Sequence, residues 1–131
     1  MLHTGIFVAD TELKGRGVFT RENIAAATIV EVSPVLVFDP AQRELLEKTD
    51  LYNYIFEWQE DNLSCCIGLG LISIYNHKLP SNCEYLMDFE SNIMAIKTIR
   101  DIAANEELTI NYSGDWDDAT PVWFDTAPEE L

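Results

Sequence analysis

Four short segments carry residues whose types and spacing could do chemistry. Gly15-Arg16-Gly17, preceded by Lys14, is a Gly-x-Gly turn. Such a turn lets backbone approach a ligand closely or reverse direction tightly. No third glycine and no helical pattern follow, so it is not a dinucleotide fingerprint. Tyr52, Tyr54, Phe56 and Trp58 alternate along the chain, and a strand would set them on one face. That face is either a core strand or an aromatic wall suited to an alkylammonium chain. Tyr75-Asn76-His77, with Asn82 soon after, offers amide and imidazole groups in a loop. Glu106-Glu107-Leu108-Thr109-Ile110-Asn111-Tyr112 reads as a strand ending in a tyrosine, with Ser113-Gly114 behind it.

Some chemistries are excluded. His3 and His77 are the only histidines and there is no Cys-x-x-Cys, so no metal is expected. No serine or cysteine stands in a recognisable nucleophile setting.

Short elements must position these groups. Ile6-Phe7-Val8-Ala9 reads as a strand, Lys14 to Gly17 as the turn, and Val18-Phe19 as the start of the return strand. Thr28 to Phe38 is rich in β-branched residues, and Pro34 predicts a bulge or an edge position there. Asp39-Pro40 reads as an N-cap with proline in the first turn of a short helix ending near Lys48, where Glu44 and Lys48 are spaced as a pair. Leu51 to Trp58 reads as a strand, and Leu63 to Tyr75 as either strand or buried helix. Tyr85–Phe89 and Ile93–Ile99 read as paired strands turning at Glu90-Ser91-Asn92. Ile24-Ala25-Ala26 and Ile102-Ala103-Ala104 echo one another before strands. Many short strands at close spacing predict a mainly β domain with little helix, an α+β fold.

The chain of 131 residues has the size of one domain, and 47% apolar residues suffice for a core. Its apolar stretches fall short of the ~18 residues of a membrane span, and no secretory leader is evident, so neither a membrane nor secretion is expected. Three cysteines make no disulfide framework and suggest a reducing compartment. Eight Lys and Arg against 23 Asp and Glu leave a net charge of −15. Such a surface repels nucleic acid and favours a basic partner, or serves solubility alone.

In this order, the segments resemble the SET domain family of protein-lysine methyltransferases. Ile6 to Thr20 is similar to that family's opening, which ends in Gly-x-Gly-Val-Phe. Asn76-His77 with Asn82 is similar to its Asn-His-Ser-x-x-Pro-Asn, and Glu107 to Tyr112 to its Glu-Leu-x-Phe-Asp-Tyr. The likeness spans about residues 5–116 of a single domain 1–131, with 117–131 an acidic aromatic tail. Compact single-domain members, viral and fungal, are most alike. Lys78 and Ser81 stand where the family has serine and proline, Asn111 where aspartate is common, and Ala27 and Asn105 where glycine is frequent. The cysteine-rich zinc segment that often follows the last motif has no counterpart here, and the tail with Trp116, Trp123 and Phe124 is expected to close the site instead.

The resemblance implies a β-clip-like fold of several short sheets with a knot-like C-terminal threading. It implies S-adenosylmethionine as methyl donor, S-adenosylhomocysteine as product, and no metal. Lys14, Gly15, Arg16 and Gly17, with Asn76 and His77, would bind that cofactor. Tyr112 and Tyr54 would be catalytic, with Tyr52, Ile110 and Trp116 along the lysine channel. Where the family often has a tyrosine that limits the product to one methyl, Ile110 cannot hold a water, which implies two or three methyls. The partner implied is a lysine-bearing basic tail, foremost a histone, with no direct nucleic acid. A homodimer completing the site is also compatible. A histone substrate implies the nucleus, and another target the cytoplasm. The competing reading is a SET-like module that binds a basic partner without catalysis.

Overall fold

Alternating burial along short strands builds two sheets, ordered β1-β2-β9-β6 and β4-β5-β3-β8-β7. The strands are β1 (Ile6–Asp10), β2 (Arg16–Thr20), β3 (Ile29–Phe38), β4 (Ile55–Trp58), β5 (Ser64–Gly68), β6 (Asn76–His77), β7 (Cys83–Asp88), β8 (Ile93–Thr98) and β9 (Glu107–Ile110). The computed structural model describes residues 1–58 and 63–112. Among the described residues the structure is mainly β with one short α-helix, the fold expected from the sequence. The knot-like C-terminal threading and the closing tail lie outside the described residues.

In the first sheet, β1 and β2 form a hairpin from Ile6↔Thr20 to Asp10↔Arg16. β9 then pairs antiparallel with β2 and parallel with β6, matching Asn76 to Thr109 and His77 to Ile110. The parallel pairing puts the two later motifs side by side. In the second sheet, β3 changes partner along its length. Ile29 to Pro34 pairs with β8, and Val35 to Phe38 pairs with β5. Pro34 sits at this changeover, opposite Ile93, where a missing N–H interrupts least. The bulge expected at Pro34 lies instead between Ile29 and Glu31.

Buried Asn82 joins the two sheets. Its Oδ1 accepts from Thr109 N at 2.8 Å and its Nδ2 donates to Glu107 O at 2.7 Å, a side-chain substitute for strand pairing. The echo of Ile24 and Ile102 forms a bridge between those two residues. Ala27 and Asn105, at positions where glycine is frequent, adopt φ of 61° and 70°. One core runs between the sheets, with Val18, Trp58, Ile72, Met94 and Leu108 all fully buried.

Several local expectations are corrected. Tyr52 and Tyr54 do not share a strand face with Phe56 and Trp58. Asp50–Tyr54 is a 3-10 turn capped by Thr49, and the strand begins only at Ile55. Leu63 to Tyr75 resolves into β5 followed by a 3-10 turn, Ile72–Ile74. The helix α1 (Pro40–Leu46) starts at an Asp39–Gln42 capping box, and its i,i+4 ion pair is Arg43–Glu47 at 3.2 Å rather than Glu44–Lys48. No helix among the described residues is long and apolar enough to cross a membrane. Cys65, Cys66 and Cys83 are buried free thiols, and burial pushes Cys66 and Cys83 up to about 12.

Candidate active site

The hairpin loop between β1 and β2 is built around Thr11. Its Oγ1 accepts from Lys14 N at 2.9 Å and donates to Gly15 O at 2.8 Å, while Thr11 N also donates to Gly15 O. Gly15 supplies the left-handed residue that this closure needs, with φ of 70°. Lys14 then reaches across, its Nζ donating to the His77 carbonyl at 2.6 Å. The loop is thereby tied to β6.

Asn76 ties the same strands from behind. Its Nδ2 donates to Arg16 O at 3.1 Å and to Glu107 Oε2 at 2.8 Å. This convergence depends on Gly17. A Cβ at Gly17 would stand 2.5 Å from Glu107 Oε2 and 3.0 Å from Asn76 Nδ2. Gly17 therefore acts as a spacer, buried and outside the cavity wall described next.

Tyr112 follows β9 and is held at both ends. Its amide donates to His77 Nδ1 at 3.1 Å, so that nitrogen carries no proton. Its hydroxyl donates to the Tyr75 carbonyl at 2.7 Å. With that hydrogen committed, the phenol oxygen meets any further partner only as an acceptor. The ring packs edge-on to Phe56 at 5.6 Å and tilted against His77 at 5.6 Å. Tyr85 joins the cluster, 5.5 Å from Phe56, with its hydroxyl donating to Tyr112 O at 3.4 Å.

One cavity of about 480 Å³ gathers these groups. Lys14, Gly15, Arg16, Tyr54, Asn76, His77 and Tyr112 line it, together with Asp10, Leu13, Asn53, Ser73 and Ile74. Its volume falls within the ~300–1,000 Å³ of small-molecule sites. Backbone carbonyls and amides, two amide side chains and two phenol rings suit a nucleoside with a cationic, amino-acid-like arm. The donor set thus fits S-adenosylmethionine: polar backbone for its heteroatoms, and aromatic faces with a phenol acceptor for its cation.

The remaining sequence candidates fall elsewhere. Tyr52 is half-buried on the 3-10 turn and does not line the cavity. Ile110 is fully buried in the core behind it. Trp116 lies outside the described residues. Thr11, Ser73, Phe56 and Glu107 are parts of the site that the sequence did not single out for it. Phe56 stood in the aromatic run and Glu107 in the last motif, so both had a signal. Thr11 and Ser73 had none: Thr11 only closes its own turn through the backbone of Lys14 and Gly15, and Ser73 reaches the Tyr54 carbonyl 19 residues away.

A curled two-sheet β domain, with a cofactor-sized cleft where a hairpin loop meets two adjacent strands, defines a SET-type domain. The SET domain family model matches residues 15–113. The histone-lysine N-methyltransferase of Schizosaccharomyces pombe (strain 972), H3 lysine-37 specific, is 37% identical over 126 residues, covering 95% of this chain and 80% of that protein. Among solved structures, a candidate histone methyltransferase from Plasmodium falciparum aligns with a TM-score of 0.63 at 23% identity, covering 88% of this chain and 98% of that one. A chain of Chaetomium thermophilum Polycomb Repressive Complex 2, autoinhibited and bound to S-adenosylmethionine, aligns with a TM-score of 0.70 at 22% identity, covering 84% of this chain and 15% of that one. These two likenesses carry the fold. The chain belongs to the SET domain family. It is an S-adenosylmethionine-dependent methyltransferase.

Proposed function

We propose that this methyltransferase acts on a lysine of histone H3, with Tyr112 and Tyr54 at the reacting end of the cavity and Lys14, Gly15, Arg16, Asn76 and His77 around the cofactor. The observation that carries this reading is the convergence of all seven residues on one cavity wall. S-adenosylmethionine supplies, when bound, an electrophilic methyl on a sulfonium. The chain's own groups orient and desolvate. Backbone at Gly15 and Arg16 and the Asn76–His77 strand hold the polar parts. The Tyr112 oxygen, restricted to an acceptor role, faces cationic character.

The acceptor amine must first lose its proton. From a reference pKa near 10.4, about one lysine in a thousand is neutral at pH 7.4, a cost of about 4 kcal/mol. Aromatic walls from Tyr54 and Tyr112, the latter backed by Phe56, lower that pKa by withholding water, and a neighbouring cation lowers it further. The acid-rich exterior, at net charge −15, draws the basic tail inward. Ile110, buried behind the cavity, adds no hydrogen-bonding group to its wall, and on this reading the product carries two or three methyls. The working compartment on this reading is the nucleus. Lysine 37 of H3, the site for which the fission yeast relative is named, is the first lysine to examine.

The test is transfer of labelled methyl to H3 and its tail peptides, with mass spectrometry of the product. We expect Tyr112→Phe to lower turnover on the order of 100-fold, with cofactor affinity nearly unchanged. Equal silence of wild type and variant on basic substrates that both still bind would establish the non-catalytic reading instead. Strictly monomethylated product would reject the role given to Ile110. Light scattering of the pure protein reports whether a second copy completes the site.

A further inference from the structure

We propose that Glu31 is a positioning residue, one that sets the Tyr112 hydroxyl through the turn leading into Tyr75. Glu31 lies on β3, is 1% exposed, and has no cationic partner among the described residues. Its partners are neutral donors. Oε1 accepts from the Tyr75 hydroxyl at 2.9 Å. Oε2 accepts from Leu71 N at 2.8 Å and from Ser33 Oγ at 2.6 Å.

Burying a lone carboxylate is costly, and apolar side chains of similar volume usually serve stability better. The arrangement of the donors explains its presence. Leu71 N and the Tyr75 hydroxyl lie at the two ends of the 3-10 turn Ile72–Ile74. One carboxylate therefore grips the turn before it starts and after it ends. The turn and the Tyr75 backbone that closes it carry two groups that reach the site. Ser73 Oγ accepts from Gly68 N at 3.0 Å and donates to the Tyr54 carbonyl at 2.9 Å. The Tyr75 carbonyl accepts the Tyr112 hydroxyl at 2.7 Å. The path Glu31–Tyr75–Tyr112 is thus three side chains and one backbone carbonyl long, with hydrogen bonds at both joints. Burial and the Glu31 charge push the Tyr75 phenol well above its ordinary range, so it remains a donor to Glu31. A misplacement of about 1 Å at a reacting group is enough to cost on the order of 100-fold in rate.

The proposal rests on the reading of Tyr112 as catalytic, and a double-mutant cycle separates the two. Tyr75→Phe deletes the grip and keeps the carbonyl. It is expected to lower kcat by about fivefold or more while the KM for S-adenosylmethionine stays within about twofold. In the Tyr112→Phe background the same change should alter kcat by less than about twofold, because the group being positioned is already gone. Full additivity would make Glu31 and Tyr75 structural only and overturn the proposal. No loss of turnover in Tyr112→Phe alone would instead overturn the role of Tyr112. A second readout needs no cofactor. With ζ-carbon-labelled tyrosine, the NMR signal lost in Tyr112→Phe identifies Tyr112, and Tyr75→Phe should move that signal. An unmoved signal would end the proposal. Should Tyr75→Phe fail to accumulate, Glu31→Gln keeps the volume and the acceptor for Leu71 N, and the same cycle decides the question.

Discussion

Asn76 Nδ2 stands 2.8 Å from Glu107 Oε2, directly over the bare face of Gly17. Three segments remote in sequence, the hairpin, β6 and β9, meet at this contact. Neither a larger residue at 17 nor a shorter one at 107 preserves it. That side of the cavity is therefore held from behind by Gly17 and Glu107, which take no place in its wall, acting on Asn76, which does.

Gly17→Ala tests that assembly. The added methyl meets Glu107 and Asn76 side chains at 2.5 and 3.0 Å, so one must swing away. Overpacking of this kind costs about 1–3 kcal/mol. The expected result is weaker S-adenosylmethionine binding by calorimetry, because Asn76 is displaced with Glu107. Gly15→Ala is the control. Its Cβ meets nothing within 4 Å, but its φ of 70° imposes about 1–2 kcal/mol of backbone strain. Equal cofactor affinity in Gly17→Ala and wild type would refute the assembly argument.

Asn82→Ala should damage the fold rather than the chemistry. The change strips partners from buried Thr109 N and from Glu107 O. Each unsatisfied buried group costs about 1–3 kcal/mol. The thermal midpoint is expected to fall on the order of 10 °C. Because Asn82 joins β7 to β9, hydrogen exchange should rise in both strands together. Protection lost in only one would show that the side chain does not couple the sheets.

The order of motifs was legible because each motif is a local device that survives unfolding on paper. Gly15 marks a left-handed turn, Asn105 and Asn92 sit at turns with φ of 70° and 54°, and Asp39-Pro40 opens a helix. The aromatic run was misread where two periods coincide. Tyr52 and Tyr54 lie two residues apart, which fits a strand, but Thr49 caps a 3-10 turn that claims them first. Glu31 was illegible for a different reason. Its donors at Leu71 and Tyr75 lie 40 and 44 residues away, and nothing local to β3 announces them. A charged residue within a β-branched run is ordinarily an outward one. Only the register of β3 on β8 and β5 turns it inward.

Acid should expose the Glu106 contribution to stability. The Arg100 hydrogen bond holds the Glu106 carboxyl below its usual value, aided by Ala103 N at 3.0 Å and by Asn82. A depressed carboxyl stabilises the folded state fully above the unfolded value, about 4.3. That contribution fades as pH falls below it, because the unfolded chain takes up the proton first. Glu106→Gln should therefore be less stable than wild type at pH 7, by about 1 kcal/mol or less for a partly exposed pair, with the gap closing toward pH ~3. A gap that widened in acid would contradict the assignment of Arg100 as the dominant cause.

Salt should separate capture of the substrate from its conversion. The cavity wall holds Asp10 beside Lys14 and Arg16, so charge near the reacting atoms is mixed rather than strongly negative. Further acidic side chains, Asp50 and Glu57 among them, are exposed on the segments that flank Tyr54 and Phe56. Fields from exposed charges act over a Debye length of about 10 Å at 0.1 M salt and about 3 Å at 1 M. They speed the approach of a basic peptide without touching the transfer step. Raising salt across that range should increase the KM for a basic H3 peptide by about tenfold, leaving kcat within about twofold. Replacing the peptide's flanking lysines and arginines with glutamine should remove most of the salt effect. If kcat rather than KM carried the salt dependence, the acidic surface would have to act within the channel itself, and the division of labour between exterior carboxylates and interior rings would be wrong.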